Sequence, residues 1–90
     1  MKLSQKHQSE PVIGVVGGGQ LAQMLVDAAR ERSVQIAVQT SSPKDPAGSR
    51  ANTLVLAKPQ DARGTKKLAK TCSCVTFENE WVNIEALMKL

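Results

Sequence analysis

Three consecutive glycines, Gly17-Gly18-Gly19, follow the apolar run Val12-Ile13-Gly14-Val15-Val16 and lead into Gln20-Leu21-Ala22. Glycines let a backbone turn sharply and approach a ligand closely, and a helix that starts just after them aims its first N–H groups outward, toward an anion. As a pattern this is G-x-G-x-x-A, which by itself fits a nucleotide, a phosphorylated metabolite, or a tight strand-to-helix turn that binds nothing. The second chemical group is Val75-Thr76-Phe77-Glu78-Asn79-Glu80. A carboxylate at the end of a strand accepts hydrogen bonds from hydroxyl or amino groups. In open parallel sheets ligands lie beyond the carboxyl ends of the strands, where the strand order reverses, so Glu78 and the glycine turn are expected over one crevice. Glu80 reads equally well as an acid stabilised by the dipole of a following helix.

A dinucleotide site would place an acid about twenty residues beyond the glycines, at the end of the second strand. Gln39 and Thr40 stand there instead. Asp45 comes later, between Pro43 and Pro46, and Lys44 would suit only a cofactor with an additional phosphate, such as NADP. Cys72 and Cys74 are one residue apart, too close for an unstrained disulfide, and His7 is the single histidine available to complete a zinc site. They read as two reduced thiols, and no metal site is expected. The formal charge is +4, but the basic residues are scattered and Phe77 and Trp81 are the only aromatic residues. Nucleic-acid binding, which needs a basic stripe with interleaved aromatics, is therefore not expected.

The elements that must position these groups follow from hydrophobic period. Ninety residues allow one small domain, with a core built from Val, Leu, Ile and Ala. Residues 1–10 read as a flexible polar tail, and residues 11–90 as the domain. Val12 to Val16 is an apolar strand. A helix is predicted from Gly19 or Gln20 to about Arg32, with Leu21, Leu25, Ala28 and Ala29 on its apolar face. A second strand is predicted over 34–38, then a proline-rich loop to about Asn52, a third strand over 53–57, a helix over 61–71 weakened by Gly64, and a fourth strand over 74–77. A last helix is predicted over 82–87. Alternating strands and helices imply right-handed crossovers and a Rossmann-like α/β fold, a parallel sheet with helices on both faces. The first strand, the most apolar and the one carrying the glycine turn, is expected at the centre, which gives four strands in the order 3-2-1-4.

No apolar run is long enough for a secretory signal or a membrane span, so a cytoplasmic protein without a membrane partner is expected. Ile84, Leu87, Met88 and Leu90 make an apolar face at the carboxyl end without a closing turn. Such a face is expected to pack on further protein of a longer polypeptide, or to drive self-association, a homodimer included.

Together the two motifs resemble the amino-terminal, pre-ATP-grasp domain of the 5-(carboxyamino)imidazole ribonucleotide synthetase family, the ATPase subunits of phosphoribosylaminoimidazole carboxylase. The family opening I-G-x-x-G-G-G-Q-L-x-x-M is matched by Ile13, Gly14, Gly17, Gly18, Gly19, Gln20, Leu21 and Met24. The later stretch C-D-x-V-T-F-E-x-E is matched by Cys72, Val75, Thr76, Phe77, Glu78 and Glu80. Ser73 replaces the common aspartate of that stretch, and Thr40 stands where the family often has an acid. The resemblance implies an ATP-grasp ligase of purine biosynthesis that activates bicarbonate with ATP, as carboxyphosphate, and carboxylates the amine of 5-aminoimidazole ribonucleotide. It places Gly18, Gly19, Gln20, Leu21 and Glu78 at the ribonucleotide site. It assigns ATP and Mg2+ to further domains of the complete enzyme, so this chain alone is expected to bind no cofactor, to hold no catalytic residue and to be inert. The rival from another class is a stand-alone nucleotide- or NAD(P)-binding regulatory module.

Overall fold

The structure is a computed structural model and describes residues 11–78 and 88–89. The expected tail, the helix over 82–87, and Glu80 lie outside the described residues. Four strands, β1 (Val12–Val16), β2 (Gln35–Thr40), β3 (Thr53–Leu56) and β4 (Cys74–Phe77), form one parallel sheet in the order β3-β2-β1-β4. Helix α1 (Gln20–Arg30) links β1 to β2, and α2 (Ala62–Ala69) links β3 to β4. The chain reverses direction across the sheet at β1, which brings the carboxyl ends of β1, β2 and β4 together.

The strand pleat divides the core into two layers. Val15, Ile36 and Val38 point toward α1 and pack with its Ala22, Val26 and Ala29 and with Ala47 of the loop after β2. Val16 and Ala37 point the other way and pack with Leu68 of α2. Helices therefore cover opposite faces, as the alternating pattern required. Full burial of a side chain such as Leu68 or Val26 stabilises the fold by about 1.5–3 kcal/mol.

The buried stripe of α1 differs from the expected one. Of Leu21, Leu25, Ala28 and Ala29, only Ala29 is buried, while Leu21 is 53% and Leu25 40% exposed. The helix lies over β1 and β2 and presents Ala22 and Val26 instead, residues small enough for close approach to the sheet. Leu25 and Ala28 line a groove of about 560 Å³ that runs over Ile13 to Cys74 and Thr76 of β4.

Strand β2 runs two residues past the predicted end. Gln39 and Thr40 are buried polar residues that adjacent elements satisfy. The Gln39 Nε2 donates to the carbonyls of Lys58 (2.9 Å) and Asp61 (3.1 Å), and its Oε1 accepts from the Thr65 hydroxyl at 2.8 Å. Helix α2 starts one residue later than predicted because Asp61 caps it, its Oδ1 accepting from the amides of Arg63 and Gly64, and it ends at Ala69, two residues early. Gly64 is where Gln39 packs: a Cβ there would lie 2.9 Å from Gln39 Nε2.

Candidate functional site

Where β1 ends, Gly17 adopts φ +121°, a conformation that strains an L side chain, and the chain swings over the sheet. Its N–H donates to the Gln39 carbonyl at 2.8 Å. Gly18 then lies against Thr40, so close that a Cβ on it would be 2.6 Å from the Thr40 Cβ. Gly19 is the N-cap of α1 and offers no side-chain cap. With four orphan N–H groups in its first turn, α1 needs acceptors from elsewhere.

Glu78 supplies them. Its own N–H donates to the Val16 carbonyl at 2.9 Å, which extends the β1–β4 ladder by one residue and sets its side chain beside the turn. The carboxylate then bridges the helix start: Oε1 accepts from the Gly19 amide at 3.1 Å and Oε2 from the Ala22 amide at 3.1 Å. This is an N-cap contributed from 59 positions away. The negative carboxylate also meets the positive end of the helix dipole, and hydrogen bonds to a charged group contribute about 1.5–3 kcal/mol.

Gly19 and Glu78 therefore meet on one side of the sheet, as expected, and bond to each other, while the groove lined by Leu25, Ala28, Cys74 and Thr76 lies apart from them. Their chemistry differs from two separate ligand contacts, because the carboxylate already occupies part of the anion-receiving turn. Gly18 is buried, and its carbonyl accepts from the Ala47 amide at 2.9 Å. Gln20 and Leu21 are exposed at the mouth, and among the described residues their amides have no acceptor. Each Glu78 oxygen accepts one backbone N–H and keeps capacity for a further donor.

Sequence reasoning missed Thr40, Asp45 and Ala47 as parts of this site. The Thr40 hydroxyl donates to the Asp45 carboxylate, so the acid sought at the end of β2 arrives from the proline-rich loop. The signal available was Thr40 itself, standing where an acid is common in the resembling family. Cys72 is half-buried and Cys74 exposed, both as free thiols. Burial pushes the Cys72 thiol up, against the hydrogen bond from Thr71 that lowers it. Among the described residues no three His, Cys, Asp or Glu side chains gather to hold a metal ion, and no helix is long and apolar enough to cross a membrane.

Comparison with known proteins identifies the family of the fold. The sequence model of the ribonucleotide synthetase preATP-grasp domain matches residues 11–90. N5-carboxyaminoimidazole ribonucleotide synthase of Synechococcus elongatus is 49% identical over 78 residues, which are 87% of this chain and 20% of that protein. The Bacillus subtilis enzyme of the same name is 33% identical over 76 residues, 84% of this chain and 20% of its own length. Among solved structures, N5-carboxyaminoimidazole synthase from Aspergillus clavatus in complex with ADP and 5-aminoimidazole ribonucleotide superposes with a TM-score of 0.79 at 35% identity, covering 89% of this chain and 22% of that one. The Thermotoga maritima synthetase superposes at 0.80 with 29% identity, covering 88% and 22%. The chain spans about a fifth of the relatives it matches. They do not favour the reading as a NAD(P)-binding regulatory module. By the match across its whole described sheet, its glycine turn and Glu78, this chain belongs to the ribonucleotide synthetase preATP-grasp domain family.

Proposed function

We propose that this chain forms the amino-terminal, substrate-side wall of an ATP-dependent ligase that carboxylates 5-aminoimidazole ribonucleotide with bicarbonate in de novo purine biosynthesis. Residues 11–90 act as that domain in the cytoplasm, and the partners of its exposed surfaces are the ATP-grasp domains of the enzyme or a second copy. The observation that carries the reading is the Glu78 carboxylate held at 3.1 Å from both Gly19 N and Ala22 N, over the mouth of the glycine turn.

That arrangement suits a ligand with donors at one end and anionic oxygens at the other. Glu78, immobilised by two amides, accepts from an amino or hydroxyl group of the ribonucleotide. Among the described residues the Gln20 and Leu21 amides at the helix start have no acceptor, which favours a ligand oxygen there. Gly18 and Gly19 keep the backbone low enough for close approach. ATP and Mg2+ serve the complete enzyme from outside this chain, whose own residues orient the ribonucleotide and transfer no group themselves.

The direct test titrates the chain with 5-aminoimidazole ribonucleotide, ATP, NAD and NADP while following the amide signals of Gly17 to Leu21. The ribonucleotide is expected to move Gly19, Gln20 and Leu21 at millimolar concentration, and the others to leave them in place. In the complete enzyme, Glu78→Ala is expected to raise KM for the ribonucleotide by roughly 10- to 100-fold, the loss of a charge-assisted hydrogen bond, with KM for ATP unchanged. An unaltered ribonucleotide KM removes Glu78 from the site.

A further inference from the structure

Thr40, Asp45 and the loop over 41–51 are not used by the reading above, yet Thr40 packs on Gly18 and the loop bonds to the Gly18 carbonyl through Ala47. We propose that Thr40 and Asp45 are positioning residues: a clasp that holds the Gly18 peptide in place and so sets where the Gly19, Gln20 and Leu21 amides point. The proposal rests on the functional reading only for what those amides bind.

Four observations converge on it. The Thr40 side chain is buried on the α1 side of β2 and packs on the Gly18 Cα, so tightly that no Cβ fits between them. Its hydroxyl is committed to the Asp45 carboxylate, which ties the loop to the end of β2. Two residues on, Ala47 is fully buried in the α1-side core, and its N–H donates to the Gly18 carbonyl at 2.9 Å. The far end of the loop is fastened to α1, where Arg50 pairs with Asp27 at 3.1 Å and Arg30 donates to the Arg50 carbonyl at 2.8 Å. The Gly18 peptide is therefore gripped from below by Thr40 and from the side by Ala47, and Asp45 connects the two grips.

A hydroxyl is needed at position 40 for a physical reason. Valine would fill the same volume against Gly18 but leave the Asp45 carboxylate without its donor. The loop would then lose its register on the turn while the sheet and both helices keep their packing. The consequence falls on the amides of the turn, which reach a ligand only if Gly18 is held.

The experiment compares Thr40→Val, Thr40→Ser, Asp45→Asn and, as a stability control, Asp61→Ala in the 90-residue chain. Amide hydrogen exchange is read at Ala47 against Val15, together with the signals of Gly17 to Gly19. Thr40→Val and Asp45→Asn are expected to speed Ala47 exchange about tenfold relative to Val15, the worth of one hydrogen bond, and to shift Gly18 and Gly19. Thr40→Ser restores both. Asp61→Ala speeds exchange without shifting the turn. Equal acceleration at Ala47 and Val15, or an unmoved turn, overturns the clasp. The second arm measures affinity for 5-aminoimidazole ribonucleotide, expected to weaken several-fold in Thr40→Val and to recover in Thr40→Ser. Shifted turn signals with undiminished affinity overturn the positioning role. If the parent chain binds no ribonucleotide, the functional reading fails, and the exchange arm still decides the clasp.

Discussion

The two helices of this domain start in opposite ways. Helix α2 is capped by its immediate neighbour, with Asp61 accepting from Arg63 and Gly64. Helix α1 begins at Gly19, which has no side chain to offer, and takes its cap from Glu78 at the end of another strand. A local cap forms with the helix and reports only on that helix. A distant cap forms only when the sheet is in register, and it leaves a carboxylate with spare acceptor capacity beside the start of the helix. The first arrangement serves stability, whereas the second, on the proposed function, also serves recognition.

The sharpest way to break this contrast is at Gly17. Its φ of +121° and the 2.8 Å that would separate a Cβ from Glu78 Oε1 mean that Gly17→Ala strains the turn and evicts the distant cap together. Urea unfolding should show a loss of about 3 kcal/mol. A loss below that of Asp61→Ala would mean the turn relaxes freely. Next in size is the pair of cap removals. Glu78→Ala is expected to cost about 2 kcal/mol and Asp61→Ala about 1 kcal/mol, both by chemical denaturation, with only the first changing the amide signals of the turn. If the two variants cost the same and neither moves Gly19, the caps are equivalent and the contrast fails.

The smallest effect concerns how α1 ends. Ser33 has φ 58°, and Val34 N closes the helix on the Ala29 carbonyl at 3.0 Å. A glycine is the usual residue at such a position. Ser33→Gly should stabilise the chain by up to about 1 kcal/mol, read as a raised Tm, without touching ligand affinity. A lowered Tm would show that the serine side chain has a partner role of its own.

Much of the fold is legible in the chain because its signals are local. The apolar runs of β1 and β4, the alternation of strands with helices, and the glycine break before α1 each follow from neighbouring residues; the central place of β1 follows from its apolar run, and crossover handedness then sets the faces the helices cover. The ends of β2 and the buried face of α1 were harder for the same reason. Gln39 and Thr40 look like loop residues until Thr65 and the Lys58 and Asp61 carbonyls satisfy one, and Asp45 the other. Leu21 and Leu25 look like core residues until the helix settles on its smaller Ala22 and Val26.

Sequence alone determined the element order, the glycine turn and the presence of an acid after β4, since each depends on residue type and on spacing of a few positions. Tertiary structure decided that Glu78 bonds the Gly19 and Ala22 amides, and that Thr40 and Asp45 meet beneath Gly18. Hydrogen bonds have a reach of about 3 Å. Whether two groups far apart in the chain come within it is settled by strand register and helix placement, not by residue type.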